Sequence, residues 1–213
     1  MTVLTGPLFS LTARNSIGNA LTYSAWRGIQ YARTRVIPAN PQTAAQTAVR
    51  DVFATLNNIW NRGGTLFRAP WTASAEGQPL TDRNRLVQEN VPALQGDANL
   101  ADFVFSPGAG GAVPPVSATF TPGAGTITVV PTPPSLPTGW TIQSAVAVAI
   151  LDGDPSPPIS PTPVEGEDLT SPYSIVLSGL SAALYRCGVW LRWTAPDGST
   201  RYSTAIVGSA TPT

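Results

Sequence analysis

The fold is decided by residues 19–61, which read NALTYSAWRGIQYARTRVIPANPQTAAQTAVRDVFATLNNIWN. Two strand-like runs occupy 20–26 and 29–37, and only Arg27 and Gly28 separate them. Runs spaced so closely are typical of a β-hairpin with a tight turn. Arginine is unusual at the first turn position, where Asn, Asp or Gly is preferred, so a longer loop is the alternative. The stretch therefore predicts a hairpin that is followed directly by a helix.

A two-residue turn fixes which residues face each other across the hairpin. Three cross-strand pairs follow from it: Trp26 with Ile29, Ser24 with Tyr31, and Thr22 with Arg33. Because side chains alternate between the two faces of a strand, the remaining residues share the other face. That face is apolar and carries Leu21, Tyr23, Ala25, Ala32 and Val36. The hairpin is thus predicted to have one apolar face and one polar face that bears arginine.

The hairpin also holds the candidate interaction residues. Tryptophan, tyrosine and arginine dominate the energetics of protein interfaces, and the hairpin supplies Trp26, Arg27, Tyr31, Arg33 and Arg35. Rings interleaved with arginines are also typical of single-stranded nucleic-acid sites, where bases stack on the rings. We favour a protein interface over nucleic acid, because the nine arginines of residues 1–100 form no basic run.

A helix is predicted to follow the hairpin. Asn40 is a suitable cap and Pro41 is tolerated at the first helical position, so the helix begins there. Gly63 and Gly64 end it. Apolar residues recur at steps of three and four and form one stripe: Ala45, Val49, Val52, Phe53, Leu56, Ile59 and Trp60. Such a stripe needs a partner surface.

Residues 65–104 are predicted to complete the first domain. Pro70 and the prolines near it indicate an irregular connector over 65–79. A short second helix is predicted over 81–91, with Thr81 as its cap and Pro92 at its end.

The second half of the chain has a strand-rich pattern. Residues 105–115 are rich in Pro and Gly and are predicted to form a linker. Six strand-like runs follow: 116–121, 126–130, 141–151, 173–177, 184–194 and 202–207. In the fifth run an apolar set from Tyr185 to Trp193 alternates with a set that includes Arg186 and Arg192, which is typical of a central strand with one buried face. This number of short strands predicts an antiparallel β-sandwich.

The predicted fold is therefore an α+β N-terminal domain, made of a β-hairpin and two helices, followed by an all-β sandwich of the immunoglobulin or fibronectin III type. The segment 180–185 is similar to the corner before the sixth strand of fibronectin type III domains, with one residue fewer between its leucine and its tyrosine. The predicted boundaries are an N-terminal arm at 1–18, a docking domain at 19–104, the linker at 105–115 and the sandwich at 116–213.

Trp190 is the last candidate site residue. It belongs to the arginine-bearing side of the fifth run, and that side is expected to be polar and exposed. We predict that Trp190 lies in a contact between domains or between subunits. The alternative is a surface on which a sugar ring stacks.

The composition excludes several kinds of active site. The chain has no histidine and one cysteine, Cys187, so Ser-His-Asp and Cys-His triads are excluded and a zinc site has too few ligands. One segment is rich in carboxylates, which are Asp152, Asp154, Glu165, Glu167 and Asp168. A glycosidase pair or a calcium site is the functional alternative there, but the spacing matches no EF-hand and a solvated acidic loop is favoured. We expect no catalytic residue, no cofactor and no metal.

Charge is divided unevenly along the chain, although the formal net charge is zero. Residues 1–100 hold nine Arg and five acidic residues, and residues 101–213 hold three Arg and seven acidic residues. Opposite charges of this kind favour packing between copies or neighbours. No run of eighteen apolar residues occurs and the start lacks a signal-peptide pattern, so no membrane partner is expected.

Several stretches taken together resemble a family of structural proteins from tailed bacteriophages. In the first half they are GNALTYSAWRGIQYARTRVIPANPQTAAQ (18–46), NRLVQENVPAL (84–94) and LADFVFSPGAGG (100–111). In the second half they are PTGWTIQSAVAVAI (137–150) and SPYSIVLSGLSAALYRCGVWLRWTAPDGSTRYS (171–203). The resemblance covers nearly the whole chain, and it carries over no catalytic residue.

The resemblance implies a protein of the virion, assembled in the host cytoplasm. It implies a capsid decoration or cement protein whose partners are the major capsid protein, other virion proteins or copies of itself. A tail or fibre-attachment component is the alternative within the virion, and an adhesin that binds host carbohydrate is the alternative of another class.

Overall fold

A computed structural model describes residues 2–3, 15–17, 20–37, 39–40, 42–97, 99–155 and 157–213. Contacts divide the chain into two units, Met1–Gln42 and Thr43–Thr213, which we call the hairpin unit and the sandwich unit. The predicted docking domain at 19–104 is therefore wrong. The three helices belong with the sandwich, because their apolar faces are buried in a core that they share with its central sheet.

The hairpin unit is a four-stranded antiparallel sheet with the order β1-β4-β3-β2. Its strands are β1 (Thr2–Val3), β2 (Asn15–Ile17), β3 (Leu21–Trp26) and β4 (Ile29–Thr34). All three predicted pairs of the hairpin are confirmed by the register of β3 and β4. Arg27 and Gly28 have φ angles of 50° and 81°, as a two-residue turn of type I′ requires.

Part of the predicted N-terminal arm also belongs to this sheet. The described residues of the arm pair with the hairpin as its two edge strands, β1 and β2. The arm at 1–18 is therefore not a separate element where the structure describes it. The apolar residues of 4–14 lie outside the described residues.

The sandwich unit consists of two sheets and one layer of helices. The first sheet has three strands in the order β10-β7-β6: β6 (Ser117–Gly123), β7 (Thr126–Thr132) and β10 (Ile175–Ser178). The second has six strands: β5 (Pro107–Ala109), β8 (Thr141–Leu151), β9 (Val164–Asp168), β11 (Tyr185–Thr194), β12 (Thr200–Thr204) and β13 (Ile206–Ala210). The helices are α1 (Ala44–Arg62), α2 (Thr65–Ala75) and α3 (Asp82–Leu94). The mixed α+β composition and the antiparallel β-sandwich are thus confirmed.

The six-stranded sheet is buried on both faces at its centre. On β8, the alanines at 145, 147 and 149 belong to the core between the two sheets, whereas Val146, Val148 and Ile150 belong to the core under the helices. The same alternation places Cys187 and Leu191 of β11 between the sheets and Trp190 under the helices. All three helices contribute to this core: α1 through one buried stripe, α2 through Phe67 and Trp71, and α3 through Leu86 and Leu94. The stripe of α1 consists of Val52, Leu56, Ile59 and Trp60.

Two predicted irregular segments contain regular structure. The linker at 105–115 includes β5, which pairs with β12. The connector at 65–79 includes α2, and Pro70 lies inside that helix. An interior proline removes one hydrogen bond, at a cost of roughly 3 kcal/mol. The burial of Phe67 and Trp71 on the same helix offsets this cost.

Helix ends also differ from the prediction in two places. Helix α1 is capped by Thr43, whose hydroxyl accepts a hydrogen bond from the Gln46 N–H at 3.4 Å, and not by Asn40. Helix α3 continues through Pro92 to Leu94, which is fully buried. The predicted ending of α1 at Gly63 and the predicted cap of α3 at Thr81 are both confirmed.

Candidate protein-docking surface

The hairpin tip presents two large apolar side chains to solvent. Trp26 is 65% exposed and its cross-strand neighbour Ile29 is 51% exposed. The Arg27 guanidinium carbon lies 4.8 Å from the centre of the Trp26 ring, within the range of a cation–π interaction. The tip thus combines an exposed aromatic surface with a positive charge directly over it.

Two further predicted site residues lie on the same face of the hairpin. Tyr31 pairs with Ser24 and is half-buried, and Arg33 pairs with Thr22 and is exposed. Because residues two apart on a strand share a face, Ile29, Tyr31 and Arg33 form one row. We call the surface of Trp26, Ile29, Tyr31 and Arg33, with Arg27 at its tip, the hairpin face.

Arg35 lies just beyond the end of β4. Its backbone N–H donates a hydrogen bond to the Ala20 carbonyl at 2.9 Å, and its side chain is exposed. The structure therefore brings four of the predicted interface residues, Trp26, Arg27, Tyr31 and Arg33, to one face and its tip. The fifth, Arg35, lies two residues after Arg33, just beyond the end of β4.

The hairpin unit buries little of its own surface. Among its described residues Tyr23 is the one buried hydrophobic side chain, at 8% exposure. The predicted apolar face is only partly covered, since Leu21 is 39% exposed and Val36, beyond the strand, is 72% exposed. Strands without a packed hydrophobic face are marginally stable in water. A partner that covers this sheet would therefore add directly to its stability.

Trp190 does not belong to any exposed surface, which corrects its assignment as an intersubunit contact or a sugar-stacking residue, whereas the predicted contact with the 19–104 segment agrees with its position. It is fully buried, in the same core as Phe67, Trp71 and Phe105. This side of β11 is predicted to be exposed to solvent, because Arg186 and Arg192 lie on it. In the structure the helical layer covers that side between the two arginines, so Trp190 holds the helices on the sheet.

The acidic segment at 152–168 has structural roles. Asp152 forms an ion pair with Arg186 at 3.0 Å and accepts a hydrogen bond from the Leu100 N–H at 2.8 Å. Glu167 accepts from the Ser144 hydroxyl at 2.5 Å and lies 3.6 Å from Arg192. No group of three or more potential metal ligands occurs in the part of the chain that the structure describes.

Two carboxylates of this segment cap backbone N–H groups. Glu165 accepts from the Gly64 N–H and, at 3.2 Å, from the Leu66 N–H at the start of α2. Asp168 accepts from the Ser174 and Thr170 N–H groups at 2.8 Å and 3.0 Å. These hydrogen bonds hold the pKa of Asp168 below its usual value. An acid that is stabilised in its charged form is poorly suited to donate a proton to a glycoside.

The one thiol of the chain lies in the core between the two sheets. Burial raises the pKa of Cys187 to about 12, so this side chain remains a neutral thiol at physiological pH. Because the thiolate is the nucleophile, Cys187 acts as a small apolar core residue. Among the described helices, none is both long and apolar enough to cross a membrane.

No protein-family model matches this chain. No curated protein matches it either. Among solved structures, it is similar to a β-sandwich protein that was redesigned by computer. The identity is 21%, the alignment covers 47% of this chain and 90% of that chain, and the TM-score is 0.35.

Proposed function

We propose that this chain is a structural protein of a bacteriophage virion, most specifically a capsid decoration protein that stabilises the head shell and catalyses no reaction. The observation that carries the proposal is the hairpin unit, a separate sheet with an exposed tryptophan, exposed arginines and little core of its own. A unit of this kind gains its hydrophobic burial from a partner. The resemblance of the sequence to phage structural proteins supports a virion as the assembly that contains this partner.

In this proposal the hairpin face docks on another virion protein or on a copy of the chain. Trp26 and Ile29 supply apolar area at the centre of the contact, where hot-spot residues concentrate. Arg27 and Arg33 bind carboxylates, because a guanidinium forms two parallel hydrogen bonds with a carboxylate. The partner surface is therefore acidic and partly apolar, and the major capsid protein is the first candidate.

The sandwich unit serves as the rigid part that projects from the docked sheet or bridges to a neighbour. We propose for it an immunoglobulin-like arrangement of the fibronectin III type. Strands β6, β7 and β10 correspond to A, B and E of that fold, and β8, β9, β11 and β12 to C, C′, F and G. The Tyr185 hydroxyl supports this, since it accepts a hydrogen bond from the Ser181 N–H at 3.2 Å, just before its own strand.

The experiment is to replace Arg33 and Arg35 together by Glu in a phage that carries this chain. We expect the double variant to fold normally and to be absent from purified particles, because it presents negative charge to an acidic partner. Arg62→Glu with Arg83→Glu is the matched control, since it changes the charge equally at two exposed arginines of the sandwich unit. Particle content is measured by quantitative mass spectrometry.

Normal incorporation of the Arg33 and Arg35 variant would refute docking through this sheet. A reconstruction of the wild-type particle then gives the location of the chain. Density on the shell supports decoration, and density on the tail identifies the alternative of a tail or fibre-attachment component.

A further inference from the structure

We propose that the hairpin face docks on a second copy of this chain, in an acidic groove of its sandwich unit. This inference rests on the proposed function and specifies its partner. The hairpin unit holds four of the twelve Arg and none of the twelve Asp and Glu, a formal charge of +4. The sandwich unit holds the other eight Arg and all twelve acids, a formal charge of −4. Each copy therefore carries one basic unit and one acidic unit, and the basic unit of one copy can bind the acidic unit of another.

The acidic groove has a volume of about 410 Å³ and lies where the segment after α3 meets the junction of β12 and β13. Its accessible apolar lining comes from Val104, Ala205 and Val207, while Phe103 and Phe105 lie buried beneath it. Glu89 and Asp102 supply its charge, and no arginine is among its lining residues. The groove thus has apolar residues next to negative charge. This combination suits the pair of Trp26 and Arg27 at the hairpin tip.

The two carboxylates differ in how far they are already neutralised. Glu89 forms an ion pair with Arg85 at 2.8 Å. Asp102 is exposed and has no hydrogen bond or ion pair with any residue that the structure describes. Asp102 is therefore the group that an incoming guanidinium would neutralise. Val207, 42% exposed at the same groove, offers apolar area beside it.

A second and larger groove, of about 1060 Å³, lies between α2 and β12. It is lined by two arginines, Arg68 and Arg201, and by two acids, Glu76 and Asp82. Its charges balance, so it has no preference for a basic partner. This contrast excludes the larger groove as the receiving site. A third groove, of about 280 Å³, also holds two acids, Asp97 and Asp154, but its apolar residues Val52 and Leu94 are buried, whereas Val207 of the acidic groove is exposed.

The hairpin tip matches the acidic groove in charge and in apolar character. Its turn has only two residues, so Trp26 and Arg27 project from a narrow end. When the Trp26 indole packs against the apolar lining of the groove, a side chain of the type that contributes most to interfaces is buried. Arg27 then lies beside Asp102. Tip and groove are different surfaces, so each copy can give one contact and receive another: two copies exchange tips reciprocally, or copies join head to tail in a ring or a chain. Such a chain of copies would bind neighbouring shell subunits together.

The test uses the full-length protein and two variants that each disable one surface. We expect the wild-type protein to self-associate in 50 mM NaCl and to dissociate in 500 mM NaCl, because the contact is electrostatic in part. Trp26→Ala disables the tip and Asp102→Arg disables the groove. Each alone is expected to weaken self-association about 30-fold, the effect typical of one hot spot. Association is measured by sedimentation equilibrium.

Mixing the two variants gives the decisive measurement. The Asp102→Arg protein keeps its tip and the Trp26→Ala protein keeps its groove, so an equimolar mixture is expected to form 1:1 dimers and nothing larger. Glu76→Arg, in the larger groove, is the matched control and should associate like the wild type. Circular dichroism and the thermal midpoint show that each variant is folded.

Three results would overturn the inference: a wild-type protein that stays monomeric in 50 mM NaCl, a mixture that stays monomeric, or equal weakening by Glu76→Arg. If the wild type is monomeric but still enters particles through its arginines, the proposed function holds and only the second copy is excluded. If it self-associates as expected and never enters particles, the proposed function fails and the contact between copies stands.

Discussion

At the scale of single residues, Gly188 shows how tightly the segment after α3 is packed on the sheet. A Cβ atom at this position would lie 2.3 Å from Cγ and 2.5 Å from Cβ of Phe105. Phe105 is fully buried and its ring packs edge-on against Phe103, with 4.9 Å between the ring centres. Because these distances are far shorter than van der Waals contact, even one methyl group overpacks this site.

We therefore predict that Gly188→Ala lowers the free energy of unfolding by about 1–3 kcal/mol, the usual range for overpacking a core. Urea unfolding followed by tryptophan fluorescence measures it. Gly153→Ala is the control, since a Cβ there would meet Ile159 at 3.4 Å, an ordinary contact distance. Equal stability of the two variants would contradict this account of Gly188.

The residues that could be predicted from sequence are those whose partners are close in the chain. The pairs of the hairpin follow from the two residues between its strands, and all three are present. The sequence does not show which residues cover Trp190 and Gly188, because Phe67, Trp71 and Phe105 lie some 80 to 120 positions earlier in the chain. Local alternation shows which residues share a face of a strand, and it does not show what covers that face.

At the scale of elements, β9 and α2 depend on each other. The residue before α2 is Gly64, which has no side chain to cap the helix. Glu165 of β9 supplies the missing acceptor, with hydrogen bonds from the Gly64 and Leu66 N–H groups. A carboxylate at a helix N-terminus is stabilised by the partial positive charge of the helix dipole.

We predict that Glu165→Gln destabilises the protein by about 1 kcal/mol, because it removes the charge and one of the two acceptor oxygens. The control is Glu76→Gln at the C-terminal end of the same helix, where removing a negative charge should be neutral or slightly stabilising. Chemical unfolding at low salt compares both variants with the wild type. A Glu165→Gln protein as stable as Glu76→Gln would show that the cap contributes nothing.

The elements missed from sequence were those with weak local signals. The VEGED run of β9 has few residues that favour strands, and Pro70 argued against α2. Tertiary contacts determine the secondary structure of both β9 and α2. One side of β9 is fixed by its pairing with β8, and α2 is fixed by the burial of Phe67 and Trp71. By contrast, the continuous apolar run AVAVAI of β8 is typical of a strand covered on both faces, and this signal was available in the sequence.

At the scale of the whole molecule, the chain separates stability from contact with partners. The two cores contain no residue before Val52, so both belong entirely to the sandwich unit, and among the described residues Tyr23 is the one buried hydrophobic side chain of the hairpin unit. The exposed arginines and tryptophan of the hairpin face belong to the other unit. Apolar burial in the sandwich unit provides most of the stability of the fold. The hairpin unit can therefore leave apolar surface exposed for a partner.

This division predicts the effect of deleting residues 1–42. The remaining chain keeps both cores and all the described strand pairings of the three-stranded and six-stranded sheets, so its urea midpoint and cooperativity should equal those of the full-length protein. The full-length protein should show, in addition, fast amide exchange over the described strands of the hairpin unit when it is free, since that sheet buries little. Assembly should slow this exchange, because a docked partner covers the sheet and shields its edge strands. A loss of more than about 1 kcal/mol on deletion would instead mean that the hairpin unit belongs to the same folding unit as the sandwich.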